Sequence, residues 1–176
     1  MADDWRKRSL KELYRLTGQI FSQIPELARL WGGAYQALNF ADVPFTPLRK
    51  PLSECRLALI TTGGVHRRDQ EPFDMDDPRG DATYRRIPAS TPLHELTITH
   101  DYYDHSDADR DLNILFPLEL VRHLVNRGII GSLADSYGFM GHIEPPHLNT
   151  LIQRTAPEVA TFLKQDRVDA VLLTPG

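Results

Sequence analysis

Two short apolar runs constrain this chain more than any other feature. Arg56 to Thr62, RLALITT, and Val168 to Thr174, VDAVLLT, are nearly continuous in aliphatic residues, and each stops at a break, Gly63-Gly64 after the first and Pro175-Gly176 after the second. A strand with one wet face alternates apolar and polar residues, whereas a strand without that alternation needs cover on both faces. Between these runs, residues recur at helical spacing. Leu120, Val121, Leu124 and Val125 form a stripe that Pro117 opens and Gly128 stops; Leu148, Leu151, Ile152 and then Val159, Phe162, Leu163 form another. Thr155-Ala156-Pro157-Glu158 reads as a capping box that restarts the second stripe. Strands alternating with helices predict right-handed βαβ units, hence an α/β fold with a mostly parallel, Rossmann-like sheet and helices on both faces. Leu96 to Thr99 and Ile129 to Ala134 supply further strands, with Tyr84 to Ile87 as a short edge strand. The last strand should lead into a covering helix. None follows it in this sequence, so one face of the sheet is expected to lie bare or to be covered by another chain.

Ahead of this domain, Ser9 and Glu12 make a capping box, and Leu10, Leu13, Leu16, Ile20 and Ile24 recur at helical spacing. Pro25 suits the first turn of a second helix carrying Leu27, Leu30, Trp31 and Leu38. Residues 1–40 therefore read as an N-terminal helical extension, and 41–176 as the α/β domain, with Pro44, Pro47 and Pro51 in a strap expected to lie across the domain. A net charge of −4 gives no electrostatic footprint for nucleic acid, and no apolar run reaches the length that spans a bilayer. The charged N-terminus lacks the apolar stretch of a secretory signal. One cysteine, Cys55, leaves no internal disulfide, and together these features point to the cytoplasm. Cys55 precedes an apolar strand, and a small buried hydrophobe is the role expected of it.

The chemistry concentrates in Thr99 to Asn113, THDYYDHSDADRDLN, at the end of a predicted strand. If extended, the run puts His105, Asp107, Asp109 and Asp111 on one face; if helical, it stacks His100 over Asp104 and Asp101 over His105. Imidazole beside carboxylate serves proton transfer, binds a metal ion, or holds an ammonium or guanidinium group; a solvated acidic loop carries the same composition. His100, His105, Asp104 and Asp107 are the catalytic candidates. Binding candidates are Gly63, Gly64 and His66 at the glycine turn, Asp109 and Arg110 in the acidic run, and Tyr137 and His142 in the segment Asp135 to His142, DSYGFMGH. Arg110 is expected to hold a substrate carboxylate, and one histidine to move a proton. Each of these segments follows or ends a predicted strand, so they are expected to meet at the carboxyl edge of the sheet. Arg67 to Pro92 is a long polar connection, of a length that is usually either functional or disordered.

In their order, PLSECRLALITTGGVH (Pro51 to His66), EPFDMDDPRGDATYRRIP (Glu71 to Pro88), HDYYDHSDADRDLNILFPLELVRHL (His100 to Leu124), GSLADSYGFMGHI (Gly131 to Ile143) and VDAVLLTPG at the end resemble the selenoprotein B family of glycine, sarcosine, betaine and D-proline reductases, especially its short members. The resemblance implies reductive cleavage of a small amino acid or amino acid derivative: a selenol or thiol attacks the α-carbon substituent and a dithiol supplies the electrons. It also implies a redox residue, selenocysteine or cysteine, just after the segment matching Leu173 to Gly176 and so absent from this sequence, with no other cofactor certain. The DNA after the Gly176 codon is expected to read TGA or a cysteine codon. The implied partners are other reductase subunits, or further copies of the chain. Two other functions fit the residues alone: a metal-dependent hydrolase or lyase using the His/Asp cluster, and a non-catalytic interaction subunit.

Overall fold

A computed structural model describes Leu13, Leu16, Ile20, Gln23, Ile24, Glu26, Leu27, Arg29 and Leu30, and then residues 46–176. The scattered N-terminal positions other than Ile24 are helical, and their apolar side chains are exposed. The capping box at Ser9, together with Leu10, Pro25, Trp31, Leu38 and Pro44, lies outside the described residues.

Among the described residues there are seven strands: β1 (Arg56–Thr61), β2 (Val65–Arg67), β3 (Arg85–Ile87), β4 (Leu96–Ile98), β5 (Ser132–Leu133), β6 (Ser136–Gly138) and β7 (Ala170–Thr174). The helices are α1 (Ser106–Arg110), α2 (Leu118–Asn126), α3 (His147–Thr150) and α4 (Ala156–Gln165). As its uninterrupted apolar run requires, β1 sits at the centre of the main sheet. β7 runs parallel to it along the full register from Leu57↔Ala170 to Thr61↔Thr174. On its other side β5 and β6 share the work, β5 pairing with Arg56 and Leu57, and β6 with Ile60 and Thr61, both parallel. Where these two halves meet, the Ser136 hydroxyl accepts the Leu59 N–H at 3.1 Å and bridges the gap in the ladder. β3 closes that edge antiparallel to β6.

Two strand expectations change. Leu96–Ile98 is extended but leaves the main sheet: after Gly64, at φ +71, the chain reverses into β2, which takes β4 as its antiparallel partner in a separate two-stranded sheet. The strand expected at Ile129 starts instead at Ser132, because the N–H groups of Ile129 and Ile130 both turn back to Leu124 O to close α2. Extended structure then continues to Gly138, which places Tyr137 inside the sheet rather than in a loop. The capping box at Thr155 is also not used. Thr155 is buried and its hydroxyl donates to Ala82 O at 2.7 Å, while a π-helical turn, Leu151–Thr155, joins α3 to α4.

Helices do cover both faces of the sheet. Leu57 and Leu59 pack with Phe116, Leu118 and Val121 beneath α2, whereas Ile60, Tyr137 and Phe139 pack with Val159 and Leu163 of α4. This is the period of two in β1, read out as two cores. β7 is an outer strand among the described residues, and Val171, Leu172 and Leu173 are exposed on it, Leu173 at 69%.

The long polar connection is ordered by its own side chains. Asp81 accepts from Asp74 N–H, Thr83 N–H and the Thr83 hydroxyl, while the Arg85 guanidinium lies 4.5 Å over the Phe73 ring and donates to Glu71 O and Pro72 O. Arg122 pins the end of this connection to α2, with bonds of 3.1 and 2.6 Å to Ala89 O and 2.5 Å to Thr91 O. Replacing Arg122 by Met leaves both carbonyls without that donor. Denaturant unfolding is expected to show a loss of about 2–3 kcal/mol, and a change below about 0.5 kcal/mol would mean that water takes over the bonds.

Candidate functional site

The strand ends β1, β6 and β7 converge at one edge of the sheet. Thr62 N–H donates to Thr174 O at 3.0 Å, Gly64 N–H to Phe139 O at 2.8 Å, and Gly176 N–H to the Thr62 hydroxyl at 3.2 Å. The approach is close enough that a Cβ on Gly176 would lie 2.3 Å from Gly63 Cα. Over this edge runs the segment following β4. Thr99 N–H donates to Gly64 O at 3.0 Å, the Tyr103 hydroxyl to Gly63 O at 2.9 Å, and Gly141 N–H to His100 Nε2 at 3.2 Å. The glycine turn, the start of the acidic run, the end of the DSYGFMGH segment and Gly176 thus meet, as the rule for carboxyl ends of parallel strands anticipates.

His100 is the buried member of this group, 3% exposed, with Tyr102 and Tyr103 edge-on at 5.7 and 4.8 Å between ring centroids. Burial, reinforced by the nearby His142 and His105, pushes its pKa down to about 4. In the unfolded chain the ring titrates near its ordinary value of 6.5. Between these values the unfolded state takes up a proton that the folded state refuses, so stability falls as pH drops through this window. The loss reaches about 3 kcal/mol by pH 4. A His100→Gln variant should lack this part of the pH slope in urea titrations; an unchanged slope would mean that His100 is protonated in place.

His105 caps α1 beside the same rings. Its Nδ1 lies 2.8 Å from Asp109 Oδ2, and its ring is 5.5 Å from Tyr103. Neither geometry expected for the run is adopted. Only Ser106–Arg110 is helical, so the pairs formed are His105 with Asp109 and Arg110 with Asp107, and His100 does not stack over Asp104. Asp104 is exposed and accepts from Ser106 N–H at 3.1 Å. Arg110 and Asp107 are also exposed, at 79% and 76%. Arg110 lines a cavity of about 370 Å³ together with Arg68, His94, Leu96, Ile98 and Asp109, and no residue of the glycine turn is in that lining.

Three other candidates are placed differently. His66 is 3% exposed, with Nδ1 at 2.7 Å from Arg67 O within β2 and Nε2 at 2.8 Å from the Thr99 hydroxyl, so both ring nitrogens are used and the second ties β2 to the segment above. Burial lowers its pKa. Tyr137 is 2% exposed, its ring stacked on Phe162 in the core under α4. His142 lies at the margin of the site, against Tyr102 at 4.5 Å, and is tied to Pro78 O at 3.0 Å. Sequence reasoning missed Thr62, Tyr102, Tyr103 and Gly141. The two tyrosines lie between the candidate histidines in the sequence, which was the available signal. Among the described residues, no three His, Cys, Asp or Glu side chains are grouped to hold a metal ion. Among those residues, too, no helix is long and apolar enough to cross a membrane. Cys55 is buried at the far end of β1 from the glycine turn.

Fold and edge together define an α/β protein whose candidate loops gather at the carboxyl end of a mostly parallel sheet. The chain belongs to the glycine/sarcosine/betaine reductase selenoprotein B family, whose sequence model matches residues 29–176. It is 36% identical to the D-proline reductase subunit gamma of Acetoanaerobium sticklandii, over 75% of this chain and 53% of that protein. It is 30% identical to the glycine reductase complex component B subunit gamma of Symbiobacterium thermophilum, over 80% of this chain and 33% of that one. With the sarcosine reductase complex component B subunit beta of Peptoclostridium acidaminophilum it shares 29% identity, over 77% and 31%. The chain thus spans from about a third to about half the length of these relatives. No solved structure matches it significantly.

Proposed function

We propose that this chain is a subunit of a cytoplasmic reductase complex that cleaves a small amino acid or amino acid derivative of the glycine, sarcosine, betaine or D-proline type. The observation that carries the reading is the convergence of Gly63, His100, Gly141 and Gly176 in a family whose named members are reductase subunits. In this reading a selenol or thiol follows the segment matching Leu173 to Gly176. It would stand at the carboxyl end of β7, beside Thr62 and Gly63. A dithiol supplies two electrons and two protons, the bond from the α-carbon to its nitrogen breaks, and the dithiol becomes a disulfide. His105, with Asp109 beside its Nδ1, is the proton donor to the leaving amine. His100, neutral and fixed between two tyrosines, shapes the pocket rather than carrying charge.

The partners in this reading are the other subunits of the complex. The open side of β7, with Leu173 exposed, supports association with further polypeptide. The test is to purify the protein in a form that carries the selenol or thiol after Gly176, with the products of its neighbouring genes, and to follow dithiothreitol-dependent consumption of D-proline, glycine, sarcosine and betaine. Turnover of one of them is the expected result. A stable complex that turns over none would leave the non-catalytic subunit as the function.

A further inference from the structure

The cavity beside α1 is separate from the carboxyl edge of the sheet, since none of Thr62, Gly63, His100, Gly141 and Gly176 lines it. Three elements build it. β4 supplies Leu96 and Ile98, α1 supplies Ala108, Asp109 and Arg110, and the first turn of α2 supplies Glu119. Its apolar wall is the margin of the larger core. Leu96 and Ala108 belong to that core, and Leu93, Ile98 and Leu112 pack against it while staying only half-buried. At about 370 Å³ the cavity falls within the roughly 300–1,000 Å³ of small-ligand sites, which combine an apolar wall with a few polar groups.

Four side chains of fixed charge line it: Arg68, Asp109, Arg110 and Glu119. Two of them are taken up elsewhere. Arg110 donates to Asp107 Oδ1 at 3.0 Å, and Asp109 Oδ2 lies 2.8 Å from His105 Nδ1. The other two are not. Arg68 uses only its Nε, donating to His94 O at 3.1 Å, and no carboxylate pairs with its guanidinium among the described residues. The terminal amino groups of that planar fork are the donors that suit a carboxylate. Glu119 has Arg122 one turn further along α2, but Arg122 is committed to Ala89 O and Thr91 O, and no cation pairs with Glu119 among the described residues. A simple anion would satisfy Arg68 and be repelled by Glu119; a simple amine would do the reverse. Only a ligand carrying both charges and an apolar body uses the whole lining.

We infer that this cavity binds a free α-amino acid with a branched aliphatic side chain, its carboxylate on Arg68, its ammonium group on Glu119 and its side chain on Leu96, Ile98 and Leu112. Glycine presents the same two charges but has nothing to place on the apolar wall. The inference concerns binding alone and does not rest on the reductase reading.

The test is a calorimetric titration of the purified protein with L- and D-leucine at neutral pH, paired with NMR of methyl-labelled protein that follows Leu96, Ile98 and Leu112. Saturable binding of at least one enantiomer is expected, with shifts at those methyl groups. Glycine, isocaproate and isoamylamine, which lack the side chain, the ammonium group and the carboxylate in turn, should each bind at least about tenfold more weakly. Arg68→Gln should weaken leucine about tenfold while isoamylamine binds at least as well as to the parent. Glu119→Gln should weaken leucine by as much while isocaproate binds at least as well as to the parent. Both side chains are exposed, so neither variant disturbs the core. The inference is overturned if neither enantiomer saturates, if the shifts appear at Gly141 instead of at the cavity, if glycine or either singly charged analogue binds as tightly as leucine, or if either variant binds leucine as the parent does.

Discussion

On the proposed reductase reading, His105→Gln in the assembled complex is expected to lower turnover by about two to four orders of magnitude, the range that a lost general acid or base removes. The same change should cost little stability. The His105 side chain is 26% exposed and Asp109 55% exposed, and a pair so placed contributes about 0–1 kcal/mol. A loss of that size shifts the melting temperature of a domain this long by about 2–4 °C at most. Asp109→Asn should fall between the variant and the parent, since it leaves the imidazole in place but removes the carboxylate beside it. The measurement is dithiol-dependent substrate consumption alongside thermal melting. Unchanged turnover would remove His105 from the chemistry, and a large fall in melting temperature would make the pair structural.

Gly138→Ala should have the largest effect on folding. Gly138 lies in β6, paired with Thr61 on one side and Arg85 on the other, and a Cβ there would lie 1.9 Å from Val65 O. That oxygen is backbone in a neighbouring strand and has no rotamer to escape into, so β2 and β6 must separate. A cost of about 3–5 kcal/mol is expected, at the upper end for a single substitution. Gly128→Ala provides the contrast. At φ +70 it loses only the left-handed freedom of glycine, since nothing lies within 4 Å of its Cβ, and about 1–2 kcal/mol should follow. Urea unfolding of both variants compares the two mechanisms directly. Equal losses would mean that the contact between β2 and β6 yields easily.

The reading of His105 depends on a pairing that the sequence left undecided. In Thr99 to Asn113 both an extended and a helical geometry converged imidazole on carboxylate, and the chain adopts neither throughout. Thr99 and Tyr103 are drawn to the glycine turn by backbone contacts, to Gly64 O and Gly63 O, which leaves only Ser106–Arg110 free to coil. Arg110 shows the same limit: its charge suggested a carboxylate partner, and its place on α1 gave it Asp107 instead. His66 and Tyr137 had the residue types of a site but not the exposure, which depends on what packs over them.

What the sequence determined by itself is local and periodic. The unbroken apolar run in β1 required cover on both faces, whereas the like run in β7 made a strand whose Val171, Leu172 and Leu173 are exposed; the period of helical residues supplied α2 and α4, and Pro117 and Gly128 fixed where α2 begins and ends. The ordered segments around these elements also carried the family. What only the tertiary structure decided is which strand lies beside which, and hence which polar groups are satisfied. Leu96–Ile98 has the pattern of a strand in any sheet, and its partner was chosen by the reversal at Gly64. Thr62, His100 and Gly141, which meet at the carboxyl edge, come from three segments far apart in the chain. No spacing rule could join them, because a hydrogen bond between distant segments is a property of neighbours in space.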